Sequence, residues 1–305
     1  MTWFLLSLFP PFLYAITNHI DKILLERYFK NSGVGTLILF SSLLSGFALP
    51  FIYFADTNVF NIPLLHILAM ITVGILNIGV LWLYLLALRD DEASIVIVFY
   101  QLVPVFAILL GYLILGEVLK QLQLIAMMII ILGTTIISFE IDDESNFKLR
   151  GKTIFLMIGA SFLWALGSVI FKAVSLEESV VRSLFWEHIT LTVIGALIFA
   201  FIRPYRTHFL STFKNNSFSV LSLNFVNEFF YMLGNVIFSF AYMLAPIALI
   251  LLVNSFQTIF VLGLGILLTV FFPKVTVEKI HATHLWQKVF AITITLLGTY
   301  ILLVL

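Results

Sequence analysis

Residues 64 to 88 read LLHILAMITVGILNIGVLWLYLLAL, twenty-five residues without an aspartate, glutamate, lysine or arginine. Wound as an α-helix at 1.5 Å per residue, the stretch is about 37 Å long, enough to cross a hydrocarbon core of about 30 Å. Pro63 precedes it, and Arg89-Asp90-Asp91-Glu92 closes it with charge. Nine other apolar runs of comparable length accompany it, and together the ten cover residues 3–20, 33–54, 63–88, 93–115, 121–139, 153–174, 180–202, 217–244, 246–271 and 285–305. The gaps between them are short and polar, such as Lys30-Asn31-Ser32-Gly33, Asp56-Thr57-Asn58 and Phe272-Pro273-Lys274. The expectation is an all-α polytopic membrane protein of ten transmembrane helices.

Composition points the same way. Of 305 residues 62% are hydrophobic and 10% are charged, with a mean hydropathy of +1.13, whereas soluble domains carry roughly 25% charged residues. Sixteen basic and sixteen acidic side chains cancel, so there is no electrostatic footprint for nucleic acid. The chain has no cysteine, which removes disulfides, thiolate nucleophiles and thiolate metal sites. No cofactor and no metal are expected. The first apolar run has no basic residue ahead of it and reads as a permanent span rather than a cleaved signal.

The longest charged gap, Glu140 to Lys152, divides the chain in two, and the halves align. Phe12-Leu13-Tyr14-Ala15 falls over Phe162-Leu163-Trp164-Ala165, and the same offset of 150 sets Lys22 over Lys172. At an offset of 154, Ala87, Phe106 and Gly111 meet Ala241, Phe260 and Gly265; Leu132-Gly133-Thr134 meets Leu297-Gly298-Thr299 at 165. The implied organisation is a first five-helix repeat over 1–139, a polar linker over 140–152 and a second repeat over 153–305. Five being odd, tandem copies sit in opposite orientations, giving two inverted five-helix repeats with a site near the midplane.

Pro104-Val105-Phe106, Leu109-Leu110-Gly111 and Leu115-Gly116-Glu117, followed by a glutamine and a glycine-containing span, resemble the EamA-type proteins of the drug/metabolite transporter superfamily. The likeness extends over essentially the whole chain. It implies a ten-helix inverted-repeat transporter whose central cavity is lined chiefly by spans three, four, eight and nine. The second copy departs from the pattern, with Thr258-Ile259-Phe260 where a proline is common and Phe271-Phe272-Pro273 in place of Gly-Glu. Substrates in the superfamily vary widely, from amino acids and nucleotide precursors to sugars and drugs.

Polar side chains inside spans are costly and turn toward the bundle interior, so they mark the candidate site. On span eight Asn224, Glu228, Tyr231, Asn235 and Tyr242 share a helical face. Span nine adds Asn254, Gln257 and Thr258, span four adds Tyr100, and span three adds Asn77 and Tyr84, with Trp82 about 160° round from Tyr84 at the ordinary helical pitch. The candidate substrate-binding set is therefore Asn77, Trp82, Tyr84, Tyr100, Tyr231, Asn235, Asn254 and Gln257. Amides and rings of this kind suit a neutral, zwitterionic or cationic solute; the competing reading is that the amides tie helices together. Removal from water favours the neutral carboxyl, which makes Glu228 and Glu187 candidates for coupling proton movement to transport, with an interfacial charge the alternative for Glu187. Asn18, His19 and Asp21, at the end of span one, are candidate gating residues. Lys22 and Lys172 are each expected to pair a carboxylate or to snorkel to the headgroups.

The function expected is that of a secondary transporter, an exporter of a small metabolite such as an amino acid. Its partners are the small-molecule substrate, the lipid bilayer and protons as candidate coupling ions, in a monomer or homodimer with no nucleic acid. Two other classes compete: an intramembrane enzyme acting on lipid or peptide, and a non-transporting scaffold whose amides leave no cavity. Glu177-Glu178-Ser179-Val180-Val181-Arg182 fits an EExxxR protease pattern, but His188, His208, His281 and His284 lack the FxxxH and HxxxN/D contexts that would complete it. Neither an HExxH nor a Gly-x-Ser-x-Gly motif is present. Thirteen lysines and arginines fall on one side of the expected topology and three, Lys120, Lys172 and Arg182, on the other. This bias puts both termini outside, while the family resemblance implies both inside. The expected location is a bacterial inner membrane.

Overall fold

Backbone polar groups in lipid have no water to pair with, and a chain of this composition satisfies them within helices. Helix is the only regular structure among the described residues. The computed structural model describes residues 2–29, 33–91, 93–136, 151–271, 290 and 293–301. Most of the 140–152 linker, the polar loops at 30–32 and 272–284, and the beginning and end of the expected tenth span lie outside them.

Helix α1 covers Thr2–Ile23 and runs on through a π-helical turn, Leu24–Tyr28. Helix α2 is Val34–Ala55 and α3 is Leu64–Asp90. Helix α4 covers 93–115, tightening to a 3-10 turn at Phe99–Gln101 and widening to a π turn at Gly111–Leu115. Next come α5 (Gln121–Ile136), α6 (Gly151–Glu177), α7 (Val180–Phe201) and α8 (Arg203–Ala241). Helix α9, Ile247–Phe271, has a 3-10 turn at Asn254–Phe256, and a last helical stretch, α10, covers 293–301. Gly116 stops α4 in the left-handed region at φ 65°, where a side chain would clash with the backbone.

Among the described residues six helices are long and apolar enough to cross a membrane: α2, α3, α6, α7, the Val220–Ala241 part of α8, and α9. Phe99–Leu115 within α4 and Gln121–Gly133 within α5 are shorter apolar segments. Helix α1 has 22 residues, with Asn18, His19, Asp21 and Lys22 in its last turns.

Helix α8 departs most from its expected bounds. It begins at Arg203 rather than near Ser217 and has 39 residues, about 58 Å at the helical rise, nearly twice the hydrocarbon thickness. Its first part carries Arg203, Arg206, His208 and Lys214, which belong in water, so hydropathy alone starts the element too late. This extension is tied down by aromatic contacts: Phe209 meets Phe40 at 4.2 Å and Phe199 at 5.8 Å, and Tyr205 meets Trp82 at 6.4 Å.

The principal contacts cross between the halves. Helix α1 packs on α8 and α9, α6 packs on α3 and α4, α2 packs on α7, and α4 packs on α9. Loops then pair at the two ends of the bundle. At one end Arg182 reaches Asp56 at 2.9 Å, and His66 contacts Glu178 at 2.9 Å and Glu177 at 3.2 Å. The EExxxR residues thus join the α2–α3 connection to the α6–α7 connection. At the other end Lys152 pairs with Asp90, Thr153 donates to Asp91, and Lys22 donates to the carbonyls of Leu88 and Asp91 at 3.0 and 2.9 Å.

Candidate substrate-binding cavity

Where α1, α2 and α3 of the first half face α6, α7 and α8 of the second, the packing leaves a cavity of about 130 Å³. That is close to the roughly 150 Å³ at which a cavity holds a benzene ring. Small residues open it: Ser41, Ser42 and Ser45 on α2, and Gly167 and Ser168 on α6, take the place of larger side chains along its wall. Gly234 matters for a different reason. A Cβ there would lie 2.6 Å from Cε1 of Tyr14, so only glycine lets α8 approach the tyrosine ring that lines the cavity.

Three carboxyl side chains enter the lining: Asp21, Glu187 and Glu228, each buried. Asp21 accepts from Asn227 Nδ2 at 2.7 Å and from the Tyr84 hydroxyl at 3.3 Å. Glu187 accepts from Asn77 Nδ2 at 2.8 Å and from Asn235 Nδ2 at 3.2 Å. Glu228 accepts from the Ser45 hydroxyl at 3.0 Å. All of these donors are neutral. Hydrogen bonds continue away from Asp21 in an ordered chain: Asn254 donates to Gln257 at 2.8 Å, Gln257 to Asn18 at 2.6 Å, and Asn18 to the Tyr84 hydroxyl at 2.7 Å. The relay joins α9, α1 and α3, so it ties helices together while one flank of it faces the cavity.

Aromatic rings form a second, continuous surface. Tyr84 stacks on Tyr100 at 6.0 Å, Tyr100 meets Trp164 edge-on at 4.8 Å, Trp164 meets Tyr14 at 6.4 Å, and Tyr14 meets Tyr231 at 5.7 Å. Offset and edge-on contacts of this kind suit the ring quadrupoles. Tyr242 hydrogen-bonds the Ser168 hydroxyl at 3.2 Å.

Of the expected site residues, Asn77, Tyr84, Tyr100, Tyr231, Asn235 and Gln257 line the cavity, as do Glu187, Glu228, Asn18 and Asp21. Three are placed elsewhere. Trp82 lies on the far side of α3 against Tyr205, as its rotation from Tyr84 requires. Asn254 is buried behind Gln257, and the His19 ring bonds the Val261 carbonyl at 2.9 Å. Asn224, on the expected face of α8, turns its amide back to the Val220 carbonyl at 2.7 Å. Tyr14, which stands at helical spacing from Asn18 and Asp21 on span one, lines the cavity as well, whereas sequence reasoning passed over Thr17, the α2 serines, Trp164, Ser168, Asn227 and Ser239, all in the lining. Tyr14 and Trp164 carried a signal, since they are the aromatic pair that marks the repeat.

The sequence model of the EamA-like transporter family matches residues 1–139. Those residues, somewhat under half of the chain, are similar to that family. EamA-like proteins form part of the drug/metabolite transporter superfamily, and the match, with the long apolar helices, supports an integral multi-pass membrane protein and suggests the transporter class. Family members are transporters rather than enzymes. No curated protein sequence matches the chain. Twenty-seven chains of solved structures do match it. One, a crystal structure of a protein, superposes with a TM-score of 0.59 over 95% of this chain and 95% of its own at 13% identity. At that identity the likeness concerns the fold, and it extends beyond the EamA-like half to nearly the whole chain.

Proposed function

We propose that the protein is a secondary transporter that carries a small metabolite across the membrane by alternating access, built as ten helices in two inverted five-helix repeats. The observation that carries the reading is the cavity between the halves, walled by polar and ionisable side chains in the middle of apolar helices, which is where inverted-repeat transporters place their sites. A scaffold gains nothing from keeping such groups around open space.

Three features support the repeat. The packing pairs exchange among themselves when α1 is swapped with α6, α2 with α7, α3 with α8 and α4 with α9. The 3-10 turns at Phe99–Gln101 and Asn254–Phe256 fall at matching places in α4 and α9. Lys22 donates to the Asp91 carbonyl, and Lys172 donates to the Ala245 carbonyl at 2.8 Å, so aligned lysines contact aligned carbonyls at opposite ends of the bundle.

The substrate-binding set is Asn77, Tyr84, Tyr100, Tyr231, Asn235 and Gln257, with Asn18 and Asp21 at the inner margin as gate. Glu228 is the coupling group, with Glu187 as the second carboxyl, and protons are the coupling ion. The direction is export, the solute is an amino acid or a related metabolite, and the setting is a bacterial inner membrane. Purified protein reconstituted in liposomes tests the reading: it should move a labelled amino acid or amine faster than protein-free vesicles do. Equal fluxes across a broad metabolite panel would return the chain to the scaffold class.

A further inference from the structure

The cavity has an electrical asymmetry that a general metabolite site does not need. Three carboxyl groups line it, yet no lysine, arginine or histidine does so among the described residues. None of the three forms an ion pair with a described basic residue; each is held by amide or hydroxyl donors alone. An anionic solute would meet no counter-charge there and would be repelled wherever a carboxylate is ionised.

A second, independent observation concerns acceptors. Asn227 is 5% exposed and lines the cavity; its amide nitrogen is committed to Asp21, while its carboxamide oxygen has no hydrogen-bond partner. The Ser42 hydroxyl, also in the lining and 2% exposed, is likewise without one. Both atoms are closed off as the side chains stand; a buried acceptor left unpaired costs free energy, which a turn of the Asn227 carboxamide onto an incoming donor recovers. Beside these groups runs the tyrosine–tryptophan surface, whose ring faces attract cations.

We infer that the cavity binds an organic cation: a protonated amine whose nitrogen sits between Asp21 and Asn227 and whose body, about the size of one aromatic ring, lies against Tyr84, Tyr100 and Trp164. The ammonium supplies several donors and a positive charge where the protein offers acceptors and carboxyls, and the rings cover its apolar part. The inference rests on the transporter reading for its physiological meaning, but binding can be measured without transport.

Benzylamine, benzyl alcohol and benzoate share one shape and differ in charge, and benzylamine is protonated at neutral pH. Titrating each into the purified protein, with tryptophan fluorescence and calorimetry as readouts, should show benzylamine binding at least about tenfold more tightly than the alcohol and benzoate weakest. Asn227→Leu removes the free acceptor and should weaken benzylamine about tenfold with little effect on benzyl alcohol. Equal affinities for amine and alcohol, preference for benzoate, or no binding of any of the three overturns the inference. The charge series is read on the native chain, so a misfolded variant does not decide it. Liposome flux then separates the two readings. Benzylamine that binds but is not carried defeats the transporter and leaves the cation site standing, whereas a carried anion with benzylamine inert does the reverse.

Discussion

Lys172 of α6 forms an ion pair with Glu117, the glutamate that follows Gly116 at the end of α4, and the two are only 7% and 18% exposed. The other oxygen of Glu117 accepts the Ile247 backbone N–H at 2.7 Å, which satisfies one of the unpaired amides at the start of α9. One carboxylate therefore fastens three helices at one end of the bundle. Among the described residues Lys22, aligned with Lys172 at the other end, has no such interhelical pair: the residue aligned with Glu117 is Phe271, and Lys22 pairs instead with Glu26, one turn along its own helix, at 3.3 Å.

Breaking the pair from one side should hurt more than replacing both partners. Lys172→Met leaves Glu117 without its charged partner and should cost roughly 1.5–3 kcal/mol, the scale of a hydrogen bond to a charged group. Lys172→Met combined with Glu117→Gln should recover part of that loss. Thermal unfolding in detergent compares them, and a double variant no more stable than the single one would show that the carboxylate's bond to Ile247 is the larger contribution.

Substituting Glu228 by glutamine keeps its size and its bond from Ser45 but removes the titratable proton that the proposed coupling requires. Substrate should still bind, while flux driven by a pH gradient in liposomes should fall to the level without a gradient. Unchanged gradient-driven flux would mean that Glu228 is a structural hydrogen-bond acceptor, and attention would pass to Glu187.

Gly234→Ala places a methyl group 2.6 Å from Cε1 at the edge of the Tyr14 ring. Relief requires α8 to retreat or the ring to swing toward the cavity, at a cost of about 1–3 kcal/mol for overpacking. Ligand affinity should drop, and Tyr14→Phe, which keeps the ring, should not rescue it, whereas Tyr14→Ala should. Failure of the alanine to rescue would place the strain elsewhere on α8.

Asp56 lies in the loop after α2, where the Asn58 backbone N–H at 2.9 Å, followed by the Arg182 guanidinium, holds its carboxyl below the usual range. A carboxyl whose pKa is depressed by folding adds stability at pH above its unfolded value, and that stability is lost as the pH falls through the folded value. Asp56→Asn should therefore have a lower Tm than the native chain at pH 7, with the gap closing below the ordinary aspartate value of about 4. A gap that persists in acid would point to the loop's shape rather than its charge.

Helix positions were largely legible because each apolar run must satisfy its own backbone in lipid, and Leu64–Asp90 is found within two residues of the expected bounds. Polar helix extensions were not legible: the start of α8 looks like a loop because it is hydrophilic, yet its backbone continues the helix. Within the cavity, acids and amides stood out because burying them is expensive. Ser41, Ser42, Ser45 and Ser168 did not, since a helical serine can return its hydroxyl to its own backbone, as Ser45 also does toward Ser41. Asn224 and Asn227 on α8 show the limit plainly. They are three residues apart and equally buried, but one serves its own helix and the other reaches α1, and only the position of the neighbouring helix decides between them.

The unbroken length of α8 has a mechanical meaning. From Asn235 at the cavity to Arg203 is 32 residues of one helix, about 48 Å at the helical rise, so a tilt of about 5° around the cavity would sweep the far tip through about 4 Å. The helix is a lever with one arm along the cavity and the other ending in polar turns packed against Phe40, Phe199 and Trp82, so a movement at the cavity is passed on to α2, α7 and α3, and a spin label or fluorophore at Arg203 would report it.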